Sequence, residues 1–144
     1  MDHIDKMRQF VLSYPGWEEG KLLFMDYTDG VPGNGGLFPA GLTQASFRED
    51  ILGNRQADMC LQVFLYRCGG ELDGDARWLL EFQNWVAAQS AAGNAPRFGD
   101  VPHRERLRAE KGKRSKDRGE GNLYSVVLTA EFTKIYEVNE NGEN

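Results

Sequence analysis

Leu79, Phe82, Trp85, Val86 and Gln89 recur at steps of three and four, with Trp78 one heptad before Trp85. Aromatic and aliphatic groups therefore share one stripe, and the pattern predicts an amphipathic helix over roughly residues 75–92. Asp73 stands where it can accept the orphan amide protons of the first turn, and Asp75 adds charge that suits that end of the helix dipole. Gly93-Asn94 offers a left-handed cap, and Pro96 blocks continuation. A first helix is expected from Ile4, Met7, Phe10, Val11 and Tyr14 behind Asp2 as N-cap, with Pro15-Gly16 ending it.

Elsewhere the period changes to two. Met59, Leu61, Val63 and Leu65 alternate with Asp58, Cys60, Gln62 and Phe64, as a strand with one face on a core requires. Tyr124, Val126, Leu128, Ala130 and Phe132 alternate in the same way with Ser125, Val127, Thr129 and Glu131, whose face is expected to be mostly wet. Lys21 to Tyr27 suits a short strand, DGVPGNGG reads as a flexible loop, and Leu42 to Glu49 is extended in character. ILGNR is a candidate turn that makes an antiparallel hairpin with the strand after it. HRERLRAEK alternates too weakly to choose between strand and helix, but the charged connection GKRSKDRGEGN behind it fits the polar tip of a long hairpin. The expected fold is α+β in the order α-β-β-β-α-β-β: an antiparallel or mixed sheet with two main helices packed on one face. The expected core includes Leu79, Phe82, Trp85, Val86, Leu61, Val63, Val126 and Leu128.

With 144 residues, 40% of them apolar, the chain has room for a single domain, expected over residues 1–138 with a solvated tail at 139–144. No apolar run approaches the roughly 18 residues needed to cross a bilayer, and MDHIDKMRQF lacks the apolar core of a secretory signal. The expectation is a protein made and used without passing through a membrane. Cys60 and Cys68 would stand about 26 Å apart on one strand, too far for a disulfide, and are expected as reduced thiols.

The net charge of -5 is unevenly spread. Residues 104–118 hold eight basic and three acidic side chains, a balance of +5, which leaves -10 for the rest. Such a segment can meet phosphates, an acidic protein surface or only water; it carries no aromatic residue on which a base could stack.

Catalytic chemistry is not legible. His3 and His103 lack the spacing of a zinc site or a catalytic pair and read as surface histidines. GVPGNGG lacks the Lys-Ser/Thr of a phosphate-binding loop, while Glu18-Glu19 and Glu49-Asp50 read as solvated turn carboxylates. No catalytic residue, metal site or cofactor is expected, and no enzymatic activity.

The helix FQNWVAAQSAAGNAPRFGD, set between QADMCLQVFLYRC and NLYSVVLTAEFTKIYEV, resembles a family of long-tailed bacteriophage proteins, the minor capsid or tail terminator proteins of phages of Gram-positive bacteria. Trp85, Gln89, Gly93, Asn94, Pro96 and Gly99 occupy positions similar to that family's helix and exit, and the basic connection from Lys111 to Gly121 is longer than the family pattern. The resemblance implies a virion protein: one subunit of a hexameric ring at the head-proximal end of the tail tube, stopping tube polymerisation and mediating head-tail joining. Implied partners are other copies of the chain, the tail tube protein and connector proteins, with DNA passing through the ring without specific binding. Arg104, Arg106, Arg108, Lys111, Lys113, Arg114, Lys116 and Arg118 are the expected contacts to a neighbouring subunit or to the tube. Alternatives are another neck or head-completion protein, or a small nucleic-acid-binding module that uses the basic hairpin.

Overall fold

A computed structural model describes residues 1–70, 72–116 and 122–137. Helix α1 (His3–Leu12) is followed by strands β1 (Leu23–Met25), β2 (Gly35–Glu49) and β3 (Arg55–Gly69). Helix α2 (Leu72–Ala91), a short 3-10 turn at Pro102–Arg104, and strands β4 (Arg106–Lys116) and β5 (Asn122–Tyr136) complete it. The strands form one sheet in the order β1-β2-β3-β5-β4. All neighbours are antiparallel except β1 and β2, so the sheet is mixed. This is the α+β architecture and element order expected from the periodicities.

Directly opposed residues of paired strands share a face. Leu61, Val63 and Leu65 oppose Ala130, Leu128 and Val126, and all six are buried beneath the two helices with Leu37 and Leu107. The helices and the turn after α1 supply Met7, Phe10, Val11, Tyr14, Leu79, Phe82 and Val86 to the same core. Trp85 is half-buried at its margin. An aromatic seam joins helix to helix: Phe10 stacks on Trp85 at 4.7 Å, Trp78 stacks on Phe82 at 5.3 Å, and Tyr14 meets Phe82 edge-on at 5.2 Å.

The helix ends follow local chemistry. Asp2 caps α1 by accepting from the amide of Asp5 at 2.7 Å. Gly93 takes a left-handed φ of 77°, and the amide of Asn94 reaches back to the carbonyl of Gln89 at 2.9 Å. Helix α2 begins three residues before the expected Asp75, so Asp73 lies within the helix instead of capping it. Asp75 then faces the sheet, where Arg67 of β3 pairs with it at 3.0 Å and lies 4.4 Å from the centre of the Trp78 ring. Gly69 leaves room for this pair: a Cβ there would stand 2.2 Å from the Asp75 carboxylate and require it to move.

Several expectations are corrected. Gly35 and Gly36, read as loop, are strand residues: a Cβ on either would collide with the carbonyl of Tyr66 or of Tyr27, so the strand approaches its neighbours only as glycine. Gly112 to Lys116, expected in a hairpin tip, continue β4. A bulge between Glu110 and Lys113, with Lys111 at φ 57°, lets the strand pass beneath α2, where a Cβ on Gly112 would meet Gln83 and Leu79. Ser125, Val127 and Thr129, expected on a wet face, are buried. They sit on the interior strand β5 between the larger Gln62, Phe64 and Tyr66 on one side and Arg108 and Glu110 on the other, which shield them. His3 is no plain surface histidine: it packs edge-on against Phe98 and Phe132, and burial, helped by Lys6 and Lys134, lowers its pKa from 6.5. Cys60 and Cys68 are free thiols, as expected. Residues 139–144 lie outside the described residues.

The Arg67–Asp75 side chains are only 11% and 7% exposed, so removing one partner leaves a charge buried beside the aromatic seam. Arg67→Ala is expected to cost about 3 kcal/mol, read as a lowered urea midpoint, with Arg67→Lys recovering only part because the planar contact with Trp78 is lost.

Candidate assembly surface

The sheet has two unlike edges. On the β4 edge, α2 hydrogen-bonds to the outward backbone: Gln83 Nε2 donates to the carbonyl of Ala109 at 3.1 Å, and the amide of Leu107 donates to Ser90 Oγ at 3.0 Å. At the opposite edge β1 pairs only with Gly35 to Leu37, so β2 from Phe38 to Glu49 has a ladder partner on one side alone. Beyond Pro39 the β2–β3 hairpin forms an arm on which every β2 residue is exposed. One edge is guarded by a helix and the other is open.

The basic segment is divided by this framework. Arg106 and Arg108 oppose Glu131 and Thr129, which puts them on the face away from the helices. After the bulge Lys113 opposes Ser125 on that same outer face, whereas Arg114 opposes Tyr124 on the helix side. Four of the expected contact residues are engaged within the chain: Arg114 has a partner, Arg106 donates to the carbonyl of Glu105 at 3.5 Å, and two form ion pairs. Arg108 pairs with Glu131 and with Glu110, the latter at 3.2 Å, and Arg104, in the 3-10 turn, lies 3.6 Å from Asp58. Arg106, Lys111 and Lys113 are exposed and have no ion-pair partner among the described residues. Lys116 closes β4, its side chain outside the described residues, and Arg118 lies outside them altogether.

Sequence reasoning missed the polar centre of the outer face. Asp58 accepts from Arg48 at 2.9 and 3.1 Å, from Ser46 at 2.6 Å and from Thr133 at 2.7 Å. These bonds, Arg48 first, hold its carboxyl well below the usual 3.8. The cluster forms one side of an open cavity of about 660 Å³ that also holds His103, Arg104, Arg106 and Glu131. Its cations face acids already present, so it offers a phosphate little net attraction. The signal that could have revealed the cluster is Asp58 alternating into the outer face of a strand whose neighbours supply Arg48 and Thr133; only the register shows that they meet.

A second cavity, about 370 Å³, opens beside Trp78 between Glu18, Lys21, Arg67 and Asp75. Its deepest charges are the Arg67–Asp75 pair already described, which ties the start of α2 to the sheet. Among the described residues no group of His, Cys, Asp and Glu side chains could hold a metal ion. No helix among them is long and apolar enough to cross a membrane.

The structural role of the helix exit is plain in the geometry. The amides of Phe98 and Gly99 both donate to Glu105 Oε1, at 2.9 and 2.7 Å, and a Cβ on Gly99 would stand 2.4 Å from the carbonyl of Thr133. Gly93, Asn94 and Gly99 thus turn the chain from α2 onto the sheet, and no chemistry is assigned to them.

Asp58 tests the outer-face network through pH. A carboxyl with a depressed folded pKa contributes stability that is complete above its unfolded value and is lost as pH falls below 3.8 toward the folded value. Asp58→Asn is expected to lower stability at neutral pH and to flatten the fall in thermal midpoint between about pH 4 and pH 2. A variant with the wild-type acid limb would show that the network contributes nothing.

Comparison with protein-family models gives no match, and comparison with curated proteins gives none either.

Proposed function

We propose that this chain is a structural subunit of a phage tail terminator: one copy in a ring that caps the head-proximal end of the tail tube, halts its growth and joins it to the head. The observation that carries the reading is the exposure of Arg106, Lys111 and Lys113 without internal acid partners, in a chain whose residues outside 104–118 sum to -10. A ring closes through heterologous contacts, one patch of each copy meeting a different patch of the next. Cations on one sheet edge and an acidic remainder suit such contacts. The guarded and open edges add a second polarity along the same direction. Support also comes from the resemblance of the tryptophan helix and its Gly-Asn-x-Pro-x-x-Gly exit. The reading assigns no reaction to the chain, places it in the virion, and makes the tail tube and connector proteins its partners. Another neck or head-completion protein would share the same ring logic.

Negative-stain images of the concentrated protein, alone and mixed with phage tail tubes, test the proposal: six-fold rings at tube ends are expected, and single particles in both samples would refute it. Arg106→Gln/Lys111→Gln/Lys113→Gln is expected to leave the unfolding free energy of the monomer, from urea titration, within about 0.5 kcal/mol of wild type while weakening assembly at physiological salt. Unchanged ring formation by light scattering would remove these residues from the interface.

The same three unpaired cations favour, as a second reading, contact with nucleic-acid phosphates. Glu110 and Glu131 beside them oppose it. A gel shift that appears at low salt and fades steeply by moderate salt would favour that reading over ring assembly.

A further inference from the structure

The tip of the β2–β3 arm displays apolar residues that no described residue covers. Ile51 is 100% exposed and Leu52 79% exposed. They are held out by a well-bonded turn: Asp50 Oδ1 accepts from the amides of Leu52 and Asn54, both at 2.9 Å, the amide of Asp50 donates to the carbonyl of Asn54 at 2.8 Å, and Gly53 takes φ 87°. Exposed aliphatic side chains on an ordered turn have already lost the backbone entropy that docking would otherwise cost.

At the far end of the same sheet, on its outer face, lies a small cavity of about 280 Å³ between Thr28, Phe38, Tyr66 and Leu123. Gly36 opens it. A Cβ there would stand 2.9 Å from the Phe38 ring and 3.0 Å from the Thr28 methyl, so the absent side chain lets these groups frame a recess against Tyr66, which Gly36 opposes across the ladder. Charge completes the match. Lys113 opposes Ser125, two residues from Leu123 on that outer face, while Glu49 and Asp50 lead into Ile51 at the tip. Along β2 the cavity at Phe38 and the end of the arm at Glu49 are about 35 Å apart, so no arm reaches its own cavity.

We propose that Ile51 and Leu52 of one copy insert into the Thr28–Phe38–Tyr66–Leu123 cavity of the next, with Glu49 meeting Lys113. The contact joins unlike patches at opposite ends of one sheet, so it repeats from copy to copy, as ring closure requires. It rests on the ring reading and specifies the surfaces that the ring uses.

Sedimentation velocity of the full chain over a concentration series tests this. Ile51→Gln/Leu52→Gln changes only exposed side chains and is expected to keep the wild-type melting curve while raising the dissociation constant at least tenfold. Thr28→Trp, which fills the cavity from its rim, should weaken assembly to a similar extent. Glu49→Lys and Lys113→Glu should each weaken it, and the two together should restore it, a recovery that damage to either fold would not produce. Wild-type assembly by Ile51→Gln/Leu52→Gln overturns the proposal; if those assemblies are still six-fold rings in negative stain, the ring reading stands without it. A wild-type chain that stays monomeric at every concentration and with tail tubes overturns both.

Discussion

Everything in this molecule depends on covering one face of the sheet with the aromatic seam between α1 and α2. Phe10, Tyr14, Trp78, Phe82 and Trp85 lock the helices to each other as well as to the strands beneath, through stacked and edge-on contacts that rigid rings can satisfy only in a narrow set of geometries. With α2 fixed in this way, Gln83 and Ser90 fall over the outer edge of β4 and bond its backbone. A packing constraint thereby decides which edge of the sheet is guarded. The other edge, and the arm that extends from it, have no such cover among the described residues.

The same seam explains how charge is used. Arg67 is drawn under Trp78 and needs Asp75, so two charges that looked available are spent on holding a helix. On the outer face, Asp58, Glu110 and Glu131 neutralise Arg48, Arg104 and Arg108. That lattice shields Thr129 and Thr133 as a layer of apolar side chains would, and no buried side-chain polar atom among the described residues lacks a hydrogen-bond partner. Arg106, Lys111 and Lys113 remain outside it, and these are the cations on which the proposed assembly draws.

Much of the fold was legible because periodicity is a local property. Steps of three and four predicted both helices, alternation predicted β3 and β5, and Asp2 and Gly93-Asn94 marked boundaries through hydrogen bonds made within a few residues. The failures have a common cause. Gly35 and Gly36 read as loop because glycine signals turns locally, whereas here it answers the carbonyls of Tyr66 and Tyr27, one of them on a strand thirty residues away. Ser125 and Thr129 were assigned to a wet face because alternation shows that two faces differ, not how large the neighbours on adjoining strands are. The weak alternation of residues 103–111 could not choose a structure because β4 needs its bulge at Lys111 to follow α2.

The candidate surface was legible only as a concentration of charge. Eight cations close in sequence share a net charge, which is additive and needs no coordinates; which of them stay unpaired depends on the register that brings Glu131 to Arg108 and on the turn that brings Arg104 to Asp58. The turn at Asp50–Asn54 is likewise visible as a turn, but the exposure of Ile51 and Leu52 among the described residues is not. By itself, then, the sequence determined the elements, their order and the place of the basic arm, since each follows from neighbours along the chain. Only tertiary structure decided which edge a helix guards, which described cations lack an acid partner, and that the exposed tip and the outer-face cavity stand at opposite ends of the sheet, because those depend on distances between residues that the chain keeps far apart.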